Sequence, residues 1–176
     1  MDYLALTKSW LEKTIIGLNL CPFAKTPYEK GKIIFSLCEN SSFDKIYQAF
    51  IDELGKLNSE EFETTLFITP NASDDFFEFN DFIGELEALL EENDLSKIYQ
   101  LVGFHPKFIF DGMQFDEPAN YVNRSPFPLI HILKTESIEK LNLSKEEAEA
   151  ISTKNEKTIS SLESKELNSH FNYLVK

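Results

Sequence analysis

The sequence predicts an α+β domain, with one mostly mixed sheet of about four strands covered by helices. Three observations carry this. The chain has 176 residues, the size of a single domain. Stretches with apolar residues at three- and four-residue steps alternate with short β-type runs. The last predicted strand follows a long aperiodic stretch, so the order is helix, strand, helix, strand, helix, strand, loop, strand, helices. Right-handed βα connections are expected. An all-parallel sheet is the alternative if the last connection crosses over.

Leu4 to Ile16 reads as an amphipathic helix with Leu4, Trp10, Leu11 and Ile15 toward the core, ended by Gly17. A compact apolar turn, Leu18 to Ala24, follows. Lys32 to Glu39 reads as a strand. Phe43 to Leu57 fits a helix capped by Ser41 or Ser42. Thr64 to Thr69 is a strand ended by Pro70. Asp74 to Asn93 is the clearest helix, with Phe79, Phe82, Ile83, Leu86, Leu89 and Leu90 on one stripe. It carries acids and no base, a pattern that usually marks a solvated face. Lys97 to Phe104 is a strand. Leu129 to Lys134 reads as a fourth strand, with a short helix capped by Ser125 as the competing reading. Ser144-Lys145-Glu146-Glu147 is a capping box. A last helix is expected from about Lys157 to Val175. Residues 1–176 form one domain, with 163–176 a helix end open to fraying.

Composition excludes several classes. The net charge is −13, and no basic run appears. Nucleic-acid binders draw affinity from cations that displace phosphate counterions, so nucleic acid is not an expected partner. Anionic membrane surfaces are disfavoured for the same reason, and no stretch has the ~18 apolar residues of a membrane helix. The start lacks the basic and apolar regions of a signal peptide. Two cysteines, Cys21 and Cys38, form no disulfide framework. A cytoplasmic location with both thiols reduced is expected. Sixteen Phe supply much of the core.

The chemistry concentrates between Phe104 and His131. About twenty residues there lack periodicity, and loops that long inside a domain are functional or disordered. Four of the seven prolines lie here, with Phe108, Phe110, Phe115, Tyr121 and Phe127. Disordered segments are poor in aromatics, so an ordered loop is expected. The chain has one Arg, Arg124, among seventeen Lys plus Arg. A planar fork that grips carboxylate or phosphate is a task Lys does not copy. His105, just past a strand end, is a candidate acid or base, with Asp111 or Asp116 as helper. Asn120, Asn123 and Tyr121 would fix a polar substrate. The same residues also fit a purely structural cluster, in which His105 bonds backbone and Arg124 pairs with Asp116. His131, inside an apolar segment, reads as a satisfied core histidine.

Cys21 would be a nucleophile if Pro22 opened a helix beneath it, since the helix dipole lowers a thiol pKa. A small buried cysteine in an apolar turn is the favoured reading. No HxxxH, CxxC, Walker, GxGxxG or GxSxG pattern is present. No metal site or nucleotide cofactor is indicated, and the sequence assigns no cofactor.

Ile16 to Ala24, containing Asn19-Leu20-Cys21-Pro22-Phe23, paired with Asn120-Tyr121-Val122-Asn123-Arg124-Ser125-Pro126-Phe127-Pro128, resembles a bacterial family labelled a domain of unknown function (DUF1415-like). Phe104-His105-Pro106, Asn80-Asp81-Phe82, Asp116 and Pro118 also match, and the likeness runs from about Trp10 to Leu162. The family's Pro-Glu-Arg-Asn type segment stands here as Ser152-Thr153-Lys154-Asn155, where Asn155 and the basic position match. The resemblance implies no activity. It implies that Cys21, His105 and Arg124 occupy motif positions and form one joint site. Cys21-Pro22-Phe23 is also similar to the single-cysteine turn of some glutathione transferase and glutaredoxin relatives, although there the cysteine follows a strand.

Two functional expectations follow. One is a small-molecule enzyme acting on an anionic substrate: Arg124 binds the anion, His105 is acid or base with Asp116, and Cys21 is a nucleophile or pocket wall. The other is a non-enzymatic binding or regulatory domain that docks partners through 104–131. A concave pocket at Arg124 favours the first, a flat aromatic patch the second.

Overall fold

The computed structural model describes residues 1–59, 61–141 and 144–174, without the side chains of 145 and 148. Strands β1 (Ile33–Leu37), β2 (Thr64–Ile68), β3 (Tyr99–Phe104) and β4 (Leu129–Lys134) form one sheet in the order β1-β2-β4-β3. β1 and β2 are parallel, with Phe35 opposite Leu66. β4 is antiparallel to both neighbours, so His131 faces Leu66 on one side and Val102 on the other. The sheet is therefore mixed, with three strands pointing one way and β4 inserted against them. The 129–134 segment is a strand because its apolar residues serve two faces: Leu129 joins one core cluster, Ile130 and Ile132 the other. A strand buried on both sides reads as an almost unbroken apolar run.

Helices α3 (Phe43–Leu57) and α4 (Phe76–Glu92) cover one face. Ile46, Phe50 and Leu57 of α3 and Phe79, Phe82 and Leu86 of α4 pack with Phe67, Ile130 and Ile132. At Gly103 of β3, an added Cβ would stand 3.4 Å from Cγ1 of Ile83, an ordinary van der Waals contact with α4. Asp75 caps α4 by accepting the N–H groups of Phe77 and Glu78 at 2.7 and 3.3 Å. Ser42 holds the cap position of α3, but its hydroxyl makes no capping bond. The acids Glu85, Glu87 and Glu91 of α4 are exposed, as a solvated face requires.

The other face is covered by both ends of the chain. Helix α1 (Tyr3–Trp10), capped by Asp2, continues as a π turn over Leu11–Ile16. Trp10, Leu11 and Ile15 bury there with Leu66 and Leu129. Gly17 closes the π turn by donating its N–H to the Glu12 carbonyl at 2.9 Å. A Cβ at Gly17 would lie 2.2 Å from the Lys13 oxygen, which excludes any other residue. Asn19 then takes a left-handed conformation, φ 51°, that asparagine tolerates. Short helices α2 (Lys25–Glu29) and α5 (Thr135–Glu139) lead into β1 and out of β4.

Helix α6 (Lys145–Ser160) opens on the expected capping box, with Ser144 and Glu147 exchanging bonds at 3.2 and 2.8 Å. The single helix expected from Lys157 to Val175 is not found. α6 stops at Ser160, and α7 (Ser164–His170) begins after a break at Ser161–Glu163, with Glu163 and Glu166 forming a second capping box. The break has a packing reason, since Ile159 and Phe171 are 1% and 2% exposed on the same cluster and one straight helix would not aim both at it. Val175 lies outside the described residues. Among the described residues, no helix is long and apolar enough to cross a membrane.

Candidate functional site

Because β4 runs against its neighbours, the 105–128 connection lies at the sheet edge that carries the carboxyl ends of β2 and β3. In open sheets that edge is where ligands bind. A cleft of about 950 Å³ opens there. The turn after β2 supplies Pro70, Asn71, Ser73 and Asp74 to its wall, and the connection supplies His105, Lys107, Phe115, Tyr121, Arg124 and Phe127. Leu6 of α1 and the C-terminal residues Leu167, Asn168, Phe171, Tyr173 and Leu174 complete it.

The connection is ordered by buried polar side chains bonded to backbone. Asn120 is fully buried: its Oδ1 accepts the Phe110 N–H at 2.9 Å, and its Nδ2 donates to the Gln114 and Phe115 carbonyls at 2.7 and 3.3 Å. It sits in a 3₁₀ turn, Pro118–Asn123, opened by Pro118 at a position where no N–H is needed. Asn123 donates to the Gly103 carbonyl at 3.4 Å, and its own carbonyl accepts the His105 N–H at 3.2 Å. Asn120 thus ties the loop to itself and Asn123 ties it to β3, and both stand outside the cleft lining.

His105 is fully buried against Phe76 and Phe79. Its Nδ1 accepts the Lys107 N–H at 3.0 Å, so the proton sits on Nε2, which donates to the Ser73 carbonyl at 3.2 Å. Burial lowers its pKa, partly opposed by the Ser73 carbonyl and Asp74, and the ring is neutral at neutral pH. Lys107 Nζ meets Asp74 at 2.6 Å, which holds that carboxyl below its usual range.

Arg124 is 3% exposed. Its guanidinium lies 4.4 Å from the ring centroids of both Phe115 and Tyr121. Nε donates to the Phe108 carbonyl at 3.3 Å, and Nη2 donates to the Phe115 carbonyl. No carboxylate pairs with it among the described residues, Asp116 included. Burial pulls the guanidinium below its ordinary pKa, while Tyr121 and Tyr173 push back; it remains a cation. Its backbone is fixed as well, since its carbonyl accepts the Trp10 Nε1–H at 3.2 Å and the Tyr173 hydroxyl at 3.4 Å.

The remaining candidates lie elsewhere. Asp111 and Asp116 are exposed and do not line the cleft. Cys21 is half-buried and packs on the same apolar cluster as Tyr121, also outside the cleft lining. Burial pushes its thiol up, and the N–H groups of Phe23 and Ala24 oppose this only in part. Its neighbour Leu20 gives its carbonyl to Asn155 Nδ2 at 2.6 Å, which assigns Asn155 to pinning this turn onto α6. His131 sits on the inner sheet face, where Nε2 meets the Thr64 hydroxyl at 2.6 Å. That hydroxyl donates to the Ile132 carbonyl at 2.7 Å, so the imidazole is the donor in the first bond. Burial brings the His131 pKa down to about 4. Among the described residues, no three His, Cys, Asp or Glu side chains gather as a metal would require.

Sequence reasoning missed the C-terminal wall, Leu167 to Leu174, and the turn Pro70 to Asp74. Tyr173 is 49 residues from Arg124, and no local pattern links positions so far apart. No curated protein and no solved structure matches the chain. A family model does: it covers residues 2–169, is described as a protein of unknown function, and shows that the chain belongs to that family, DUF1415.

Proposed function

We propose that this protein binds a small organic anion in the cleft at the carboxyl ends of its parallel strands, with Arg124 as anchor. One observation carries the reading: a buried guanidinium with no carboxylate partner among the described residues opens on a cleft of about 950 Å³. A buried cation is costly unless an anion offsets it, and a ligand carboxylate or phosphate would supply the missing charge. Pre-set ring stacking and carbonyl bonds hold the fork in one orientation, so little order is lost on binding.

The proposal stops at recognition. Both ring nitrogens of His105 are engaged with backbone, and Asp116 and Cys21 stand apart from the cleft lining. An acid–base role for His105 would need its bond to Ser73 or to Lys107 to open first. Docking of a macromolecule is favoured less, because Phe108 is packed on Phe76 and Phe110 and Tyr121 on Phe171.

The test is thermal unfolding with acetate, benzoate and inorganic phosphate at constant ionic strength. A ligand at 100 times its dissociation constant stabilises by about 2.7 kcal/mol, which raises the midpoint of a protein this size by roughly 5–10 °C. Arg124→Lys should keep the far-ultraviolet spectrum and lose the shift, since Lys lacks the fork. No shift with any of the three anions on the unaltered protein would refute the reading.

A further inference from the structure

We infer that the anion is a monocarboxylate with an apolar body, of the aryl-acetate or medium-chain acyl type. This rests on the anion-binding reading above and narrows it. The first argument is charge. The charged side chains lining the cleft are Arg124, Lys107 and Asp74, and the last two neutralise each other at 2.6 Å. His105 is neutral. Among these side chains one positive charge, that of Arg124, remains, and one negative charge matches it. A dianion would leave a second charge unpaired inside a chain of net charge −13, whose field already opposes anion entry.

The second argument is shape. The rings of Phe115 and Tyr121 each lie 4.4 Å from the guanidinium, and the carbonyls of Phe108 and Phe115 and the Tyr121 side chain engage part of its N–H set. The remaining donors lie in the guanidinium plane. A flat carboxylate approaches in that plane and makes two parallel bonds. A tetrahedral phosphoryl group can make the same pair of bonds but carries its further oxygens, and its second charge, out of that plane.

The third argument is the rest of the wall. Beyond the cation, the cleft is lined by Leu6, Phe127, Leu167, Phe171 and Leu174. Leu6 is 41% exposed, so apolar surface stands in water at the opening. A ligand that is charge alone would leave that surface wet. A ligand with an apolar body covers it, and each buried methylene tightens binding by about fourfold.

The experiment is isothermal titration with acetate, hexanoate, phenylacetate, 1-hexanol, succinate and inorganic phosphate at fixed ionic strength. Hexanoate or phenylacetate should bind at least tenfold tighter than acetate, succinate, phosphate and the uncharged alcohol. Arg124→Gln should bring hexanoate down to the level of hexanol. Should that variant fail to fold, Leu167→Ala gives an independent reading, because it should lower the ratio of hexanoate to acetate affinity within one folded protein. If succinate or phosphate binds as tightly as hexanoate, the monocarboxylate assignment is overturned while anion binding stands. If no anion binds at all, the anion-binding reading falls and this assignment with it.

Discussion

Asn120 holds the long connection closed. It is fully buried and satisfies one N–H and two carbonyls of the Phe110–Phe115 stretch. Asn120→Ala removes all three bonds and leaves buried backbone groups without partners, a loss of about 2–4 kcal/mol. Urea unfolding measures it, and a loss under about 0.5 kcal/mol would show that the loop is held by its aromatics instead. At this scale the sequence was partly legible. The scarcity of arginine singled out Arg124, and the aromatic content of the loop announced an ordered segment. The partners of each side chain were not legible: a histidine past a strand end reads equally as a base or as a backbone-bonded ring, and only the Ser73 and Lys107 contacts of His105 separate the two. Cys21 illustrates the same limit, since the electrostatics of a thiol depend on its burial and on the backbone donors around it.

Elements were more legible than residues. The strands, α3 and α4 follow from periodicity and breakers, and α3 spans Phe43–Leu57 as the pattern requires. The break between α6 and α7 was not, because its local signal, Glu163 with Glu166, is a weak cap. β4 was ambiguous by sequence, and its place between two strands carries a consequence. His131 is held neutral there, with its pKa lowered to about 4. In the unfolded chain it titrates near 6.5. The folded pKa is thus depressed: the stabilising contribution is complete above about pH 6.5, falls as pH drops toward 4, and is flat below. The span corresponds to about 3 kcal/mol. His105 shifts in the same direction and adds to the slope. His131→Gln should flatten stability between pH 6.5 and 4, as followed by urea midpoints across that range. An unchanged slope in the variant would mean that the imidazole reaches water through a route that hydrates its charged form.

At the scale of the whole molecule, the two ends of the chain meet over the site. Trp10 of α1 and Tyr173 of the C-terminal segment bond the same carbonyl, that of Arg124. Phe171, 2% exposed, stacks edge-on against Tyr121, whose other contact is the guanidinium. The C-terminal segment is therefore both a wall of the cleft and a brace for its cation, although no sequence pattern joins it to residues 120–124. Phe171→Ala deletes the brace without touching Arg124. Truncating a buried Phe costs about 3–5 kcal/mol, so the midpoint of thermal unfolding should fall by roughly 10 °C. The more telling measurement is amide hydrogen exchange. If the segment braces the site, protection should fall first in α7 and in the 105–124 connection, while α3 and α4, which pack on the opposite sheet face, exchange only through global unfolding. A uniform loss of protection across both sheet faces would show instead that Phe171 contributes general core stability, and that the connection holds Arg124 in place by itself.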